Sequence, residues 1–399
     1  MLVRQSRANA LPASSSQRRM WMVQQLTPGT TAYNIGFAFR IHGDLDPTRM
    51  AQAFERVAAR HEAFRTRLPT EGDDVVQRLA APPVPLRVED LSGMPEAQRE
   101  SALLERGGDW LQMPFDLEKG PLHRALLLRT SPTAHALVWS VHHAIGDLWS
   151  FSIVLRELAE AYEALEAGGE PSWPALPFDY ADYAAWQREP MQEAALVEPI
   201  AYWTSKLAGL EPLQLPVDFP RRAAPDGRGR RQFRPLEPEL RDAIRRCAHE
   251  LGVTPFMLML AAFQLLLARW TGQSDIAVGT PIANRHRLST EPLVGTLVNT
   301  LVARTRVDAG DDFPRLAARV RETALEAFAH QDAPFERLVE ALVRTRDPLR
   351  PPLVQAFFSH ITSAFERTDI AGRRVSPLNL DRSGAQFELS VVVDLDLFG

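Results

Sequence analysis

Two adjacent imidazoles and a carboxylate, His142, His143 and Asp147, fall within the run Ser140-Val141-His142-His143-Ala144-Ile145-Gly146-Asp147-Leu148-Trp149-Ser150. An imidazole held neutral near physiological pH accepts a proton, and a nearby carboxylate can orient it or pair with a cation. Proton transfer at an attacking group is the chemistry this grouping offers.

The neighbouring residues say what must position it. His123 to Thr130 and His135 to Val141 both read as strands, joined across Ser131-Pro132-Thr133, which predicts an antiparallel pair. Beyond Asp147 the residues Phe151, Val154, Leu155, Leu158, Tyr162 and Leu165 recur at helical spacing, so Asp147 falls where an N-cap belongs. The histidines therefore stand between a strand end and a helix N-terminus, whose partial positive charge disfavours imidazolium and favours an oxyanion. Successive residues of an extended segment point to opposite faces, so one histidine is expected to serve the reaction and the other the structure.

Taken alone, the pattern leaves open a bland alternative, a core histidine beside an Asp N-cap. Zinc is the poorer reading: adjacent strand histidines splay apart, and no further His, Cys or Glu cluster supplies a third ligand at a recognisable spacing. No metal is expected.

The motif does not stand alone. Ser16-Gln17-Arg18-Arg19-Met20-Trp21-Met22-Val23-Gln24-Gln25-Leu26, Arg60-His61-Glu62-Ala63-Phe64-Arg65-Thr66-Arg67-Leu68, the His-His stretch, Tyr180-Ala181-Asp182-Tyr183-Ala184-Ala185-Trp186, Val294 to Arg304, His330-Gln331-Asp332-Ala333-Pro334-Phe335-Glu336, and Arg346-Asp347-Pro348 with Pro352 to Phe358 follow one another in order. In these seven places the chain resembles the condensation domains of nonribosomal peptide synthetases, in the chloramphenicol acetyltransferase-like superfamily. The likeness runs from about residue 14 to the C-terminal end, and ordered agreement over that span is far more specific than any one motif.

One residue departs from the family pattern: Leu148 stands where Gly usually follows the Asp. The substitution removes access to positive φ at a turn into a helix and adds a side chain beside the site. It is similar to a variant of condensation domains fed by polyketide modules, with tolerated drift as the alternative. Trp149-Ser150-Phe151 lacks the Ser-Trp order of epimerisation domains, and both histidines are present where cyclisation domains carry aspartates. The first two signatures resemble those of domains that accept an L-configured or achiral donor.

Composition agrees with a large soluble enzyme. The 399 residues exceed the size of about 250–300 at which a single core stops growing, so two domains are expected. Hydrophobic content of 45% and charged content of 24% are ordinary for globular chains. A net charge of -5 without a long basic stripe speaks against nucleic acid as a partner. Lys119 and Lys206 are the only lysines, and arginine-rich patches offer acidic carrier surfaces a partner. The single cysteine, Cys247, rules out an internal disulfide, suits a reducing cytosol and lies on a helical pattern from Pro238 to Leu251. Met1 to Ser15 lacks the apolar run of a signal segment, and Phe256 to Leu267 is too short to span a bilayer and reads as a buried helix. A cytoplasmic protein with no membrane association is expected.

Pro/Gly-rich loops at Gly168 to Pro177 and Pro212 to Arg231 bracket a helical stretch around Glu198 to Leu207. The second loop marks the boundary: an N-terminal lobe over 1–211, a linker over 212–231 and a C-terminal lobe over 232–399. The resemblance implies an α/β (α+β, two-layer) fold, two acetyltransferase-like lobes in a V-shaped pseudo-dimer with a channel between them. Gln386 to Leu397 reads as a strand. The family continues with another strand and a helix, so either trimming or omission of that part is expected, exposing an edge prone to association.

The resemblance also implies the reaction and its players. The amine of an aminoacyl thioester on a downstream carrier attacks an acyl thioester on an upstream carrier. Both are carried on phosphopantetheine arms, with no cofactor bound by the domain itself and with adenylation or polyketide synthase domains adjacent. His143 is expected nearest the reacting atoms, His142 as its structural partner, and Asp147 paired with Arg285 across the lobes. Trp149 and Ser150 are expected to flank the channel, with Ser150 either donating toward the thioester or acting as a first-turn helix serine. Asn299 is expected in the channel floor or, equally, satisfying a bent strand's backbone; Gln331 and Asp332 are expected to serve the fold. Two alternatives stand beside this reading: a free-standing acyltransferase using soluble thioesters, and a catalytically silent domain that recruits carriers.

Overall fold

The computed structural model describes residues 2–80, 83–220, 227–343, 347, 350–361, 369–380 and 384–395. Arg346 and Pro348 of the seventh signature, and Asp396 and Leu397 of the last strand pattern, lie outside them.

The first half builds α1 (Ser15–Leu26), β1 (Asn34–His42), α2 (Pro47–Arg60), β2 (Arg87–Asp90), α3 (Glu96–Gln112), β3 (His123–Ser131), β4 (Ala134–His142), α4 (Leu148–Glu166) and α5 (Tyr180–Gln187). β3 and β4 pair antiparallel as the sequence predicts, and β1 pairs antiparallel with β4 on its other side. β4 is buried at every residue after its first and β3 from Ala125 to Leu128, because helices cover both sheet faces. Leu127, Leu137 and Trp139 face Phe54 and Val57 of α2 and Phe151, Val154 and Leu158 of α4; Leu126, Leu128, Ala136 and Val138 face Ala102, Leu103 and Leu111 of α3. Burying each large side chain contributes roughly 1.5–3 kcal/mol, and this two-sided clamp is what fixes the end of β4.

The second half adds α6 (Val197–Lys206), α7 (Pro238–Glu250), α8 (Pro255–Thr271), β5 (Asp275–Ile282), β6 (Asn299–Arg306), α9 (Phe313–Ala329), α10 (Phe335–Leu342) and β7 (Ala356–Ile361). Next along the chain β8 (Arg373–Pro377) returns to the first sheet, and β9 (Leu389–Asp394) joins the second. The second sheet runs β6-β5-β7-β9, with α8 and α9 on one face and α6 and α10 on the other. The apolar run Phe256 to Leu267 is the helix α8, most of its residues buried as expected. No single helix among the described residues is long and apolar enough to cross a membrane.

The lobes are not the contiguous blocks that the loops suggest. β8, far along the C-terminal half, pairs antiparallel with β1, from Arg374 opposite His42 to Pro377 opposite Phe39. Leu378 and Leu380 then enter the core under α3. The expected range 232–399 therefore surrenders residues 369–380 to the first lobe, where they cover an otherwise open sheet edge. Conversely α6, assigned to the first lobe, puts Trp203 into the second lobe's core beside Phe335 and Leu338. The linker, 212–231, holds no helix or strand among its described residues apart from an isolated bridge between Arg228 and Gly384, and its Leu213 packs into the second core.

Candidate active site

β4 ends at His142, and a single 3-10 turn, His143–Ile145, leads through Gly146 to α4. The two histidines leave the sheet in different environments. The His142 ring is buried between Tyr33 and Phe115, and its Nδ1 accepts from the Ala144 amide at 3.1 Å. Burial, and then the neighbouring His143, push its pKa down to about 3. It is a neutral structural group.

His143 is half-buried. Its amide donates to Tyr33 O at 2.8 Å, and its Nδ1 donates to Gly146 O at 3.0 Å. The second bond fixes the tautomer: Nδ1 carries the hydrogen, and Nε2 keeps its lone pair. Nε2 makes no hydrogen bond among the described residues. Burial lowers the pKa of His143, with Arg19 adding to the effect while Asp147 opposes it. The neutrality expected from the helix N-terminus is thus present, but burial is its first cause.

Asp147 is the N-cap of α4, as predicted, and much more. Its Oδ1 accepts from Ser150 N (2.8 Å) and Ser150 Oγ (2.6 Å), and its Oδ2 from Leu297 N (3.0 Å) and Val298 N (3.3 Å). Arg285 Nη2 lies 3.0 and 3.2 Å from the two oxygens. Arg285 reaches in from beyond β5, and its Nη1 is held by Thr290 O and Leu293 O, each at 2.7 Å. Burial would raise the carboxyl pKa, but Arg285 and the Ser150 hydrogen bonds outweigh it and hold the group below the ordinary value. A carboxylate so engaged joins the two lobes and has no free face for a substrate.

Ser150 belongs to the same knot. Its Oγ lies 2.6 Å from Asp147 Oδ1 and 2.8 Å from Gly295 O, acceptors for its single hydrogen, while Gly295 N (3.0 Å) and Arg285 Nη2 (3.2 Å) donate to it. The expectation that Ser150 donates toward a thioester gives way to a structural role, because its hydrogen and lone pairs are already engaged. Trp149, 41% exposed, donates from Nε1 to Glu291 O at 3.0 Å, with the Arg285 guanidinium 5.7 Å from its ring centroid. Asn299 donates to Gln331 O and Ala333 O and accepts from Thr300 N and Phe335 N, so it ties β6 to the start of α10.

Leu148 needs no special turn. It is the first residue of α4 and is not among the residues with positive φ, and Gly146 before it is extended at φ -170°. The backbone cost expected of a non-glycine residue here does not arise, and its side chain is half-buried.

Sequence reasoning assigned no role to the residues that support His143 from α1. Gln17 Nε2 donates to Ala144 O at 3.1 Å. Arg19 sits over the Phe335 ring, 5.2 Å from its centroid, and donates to Glu336 across the lobes at 3.3 Å. Gly295 lies against Tyr180 so closely that an added Cβ would stand 2.0 Å from the ring. A visible signal existed for Gln17: Ser14-Ser15-Ser16-Gln17 is a capping-box pattern, and the box forms. A cavity of about 120 Å³ between the lobes is lined by Ser16, Tyr183, Trp186, Asn299 and Glu336. A larger hollow of about 440 Å³ on the second lobe, around Arg304 and Arg319, contains none of the His-His-x-x-x-Asp residues and only Arg304 of the seven signatures; these two arginines are paired with Asp275 and Asp311. No cluster of three His, Cys, Asp or Glu able to hold a metal lies among the described residues.

Comparison with known proteins agrees with this geometry. The family described as "Condensation domain" matches residues 7–396. One of the subunits of linear gramicidin synthase from Brevibacillus parabrevis is 39% identical over 386 residues, covering 96% of this chain and 5% of that protein. Phosphinothricin tripeptide synthetase PhsC of Streptomyces viridochromogenes is 39% identical over 350 residues, covering 87% and 32%. The chain thus spans only a small part of these relatives. Among solved structures, the X-domain from teicoplanin biosynthesis superposes with a TM-score of 0.86 at 27% identity, covering 99% of this chain and 87% of that one. The first condensation domain of the CDA synthetase shares the fold with a TM-score of 0.80 at 22% identity, covering 96% and 89%. With the motif geometry and this agreement along nearly its whole length, the chain belongs to the condensation-domain family of nonribosomal peptide synthetases, acyltransferases that form peptide bonds.

Proposed function

We propose that this domain joins an acyl or peptidyl thioester on an upstream carrier protein to the amine of an aminoacyl thioester on a downstream carrier, both presented on phosphopantetheine arms. The observation that carries the reading is His143, with Nδ1 tied to Gly146 O and Nε2 left as an acceptor. The amine lone pair attacks the thioester carbonyl carbon, Nε2 takes a proton from the nitrogen, the C–S bond breaks, and the proton passes to the departing thiolate. An α-amino group has a pKa of about 7.7–8.0, so a useful fraction, roughly a tenth to a sixth, is free base at pH 7 and a strong base is not required. Holding both thioesters in one channel supplies the larger share, roughly 7–11 kcal/mol of effective molarity. Asp147 and Arg285 hold the lobes in register for that encounter. Adjacent adenylation or polyketide synthase domains in a cytoplasmic assembly complete the reading.

The competing acyltransferase reading is tested by supplying soluble coenzyme A thioesters and free amino acids alone. Carrier-dependent condensation predicts turnover only when both partners are carrier-bound; equal turnover without carriers would favour the free-standing enzyme. One observation favours a recruitment role as a second reading: the X-domain from teicoplanin biosynthesis, similar in fold with a TM-score of 0.84, is known in complex with OxyB.

A further inference from the structure

The turn that presents His143 is gripped through both backbone groups of Ala144. Its amide is held by His142 Nδ1, and its carbonyl accepts from Gln17 Nε2, a side chain arriving from α1. Gln17 is fully buried. Its Nε2 donates to Ala144 O at 3.1 Å and to Gln77 Oε1 at 3.2 Å, while its Oε1 accepts from Ser14 N at 3.0 Å. Gln77 is itself oriented by donating to Pro12 O at 2.9 Å. Turning the Gln17 amide over would set oxygen against two acceptors and NH2 against the Ser14 amide, so only one orientation fits.

Helix capping does not account for this residue. The box with Ser14 needs only an acceptor at position 17, and a glutamate serves that purpose as well as a glutamine. The amide NH2 is demanded by Ala144 O and Gln77 Oε1 alone. We propose that Gln17 is a positioning residue for His143: it fixes the Ala144 carbonyl and so the 3-10 turn that aims the imidazole. The inference rests on the reading of His143 as proton acceptor.

The test compares Gln17→Glu, which keeps the cap acceptor and removes the donor, with Gln17→Met, which removes both. A control is Gln264→Met, which disrupts a buried glutamine of the second lobe whose Nε2 donates to Ala303 O. The first readout is the ring 15N signals of His143, assigned by their loss in His143→Ala. The second is the single-turnover rate between an acetyl-loaded and an alanyl-loaded carrier. Both Gln17 variants are expected to shift the His143 signals and to lower the saturated rate on the order of 10- to 100-fold, the scale of an ångström-sized misplacement, with little change in KM. Gln264→Met is expected to lose stability with the His143 signals unmoved. Signals that stay at their wild-type positions in folded Gln17→Glu, whatever the rate, overturn the proposal. Signals that move in the Gln17 variants while wild type condenses nothing uphold the positioning role and sink the reaction assigned to His143.

Discussion

Asp147→Asn separates a residue that holds the site from one that reacts. The wild-type carboxylate receives five donor groups, namely Ser150 N and Oγ, Arg285 Nη2, Leu297 N and Val298 N. The amide has one acceptor oxygen in place of two, and it leaves the Arg285 side chain, 1% exposed, without its counter-charge. Removing one partner of a buried pair costs roughly 3–5 kcal/mol, so a stability loss of about that size is expected from urea unfolding. Because Asp147 raises the pKa of His143, the variant leaves that imidazole still neutral at pH 7.5. The rate per folded molecule should therefore stay within about tenfold of wild type, less than the effect of losing an acid–base group. Arg285→Met should cost a similar amount, and the double variant less than the sum of the two, since no unpaired charge remains. A variant as stable as wild type but slower by a hundredfold or more would refute the structural assignment and place Asp147 in the chemistry.

Acid should unfold the chain from within the first lobe. Burial pushes both His123 and His142 down to about 3, so between about pH 6.5 and 3 the unfolded chain binds protons that the folded chain refuses. Their contribution is fully present above about pH 6.5 and falls by roughly 1.4 kcal/mol per histidine per pH unit below it; urea midpoints that do not change from pH 7.5 to 5 would contradict this. Gly295→Ala drives a methyl against Tyr180, whose hydroxyl is pinned between Ser14 Oγ (2.8 Å) and Thr296 O (2.9 Å). A loss of about 1–3 kcal/mol or more is expected by thermal unfolding, and Tyr180→Leu in the same chain should relieve the clash. Ser150→Ala should cost about 1–3 kcal/mol while the rate per folded molecule changes only a few-fold; a large rate loss without destabilisation would restore the hydroxyl to the thioester.

The strand, turn and helix around the motif were legible because each leaves a local mark: two apolar strand runs, a punctuating Ser-Pro-Thr, and a change to helical period after an Asp N-cap. The partners of Asp147 were not legible in that way. Arg285 came from the resemblance alone, and the backbone donors Leu297 and Val298 leave no trace in side-chain pattern. The crossing of β8 onto β1 escaped for the same reason: pairing between residues more than three hundred positions apart carries no local signature. Leu148 misled because a family glycine suggested a positive φ, whereas its position is helical and the extended Gly146 makes the turn. Gln17 was visible as part of a signature and of a capping pattern, yet its buried donation to Ala144 O depends on where α1 packs.

The most direct test sets this domain between an acyl-loaded upstream carrier and an aminoacyl-loaded downstream carrier and follows the intact mass of the downstream carrier through one turnover, with wild type and His143→Ala side by side. The account predicts a mass gain equal to the acyl group in wild type and a rate about 10²- to 10⁴-fold lower in the folded variant, since general acid–base help is worth that much and proximity remains. Equal rates in both proteins, or no gain in either with both folded and both carriers loaded, would contradict it.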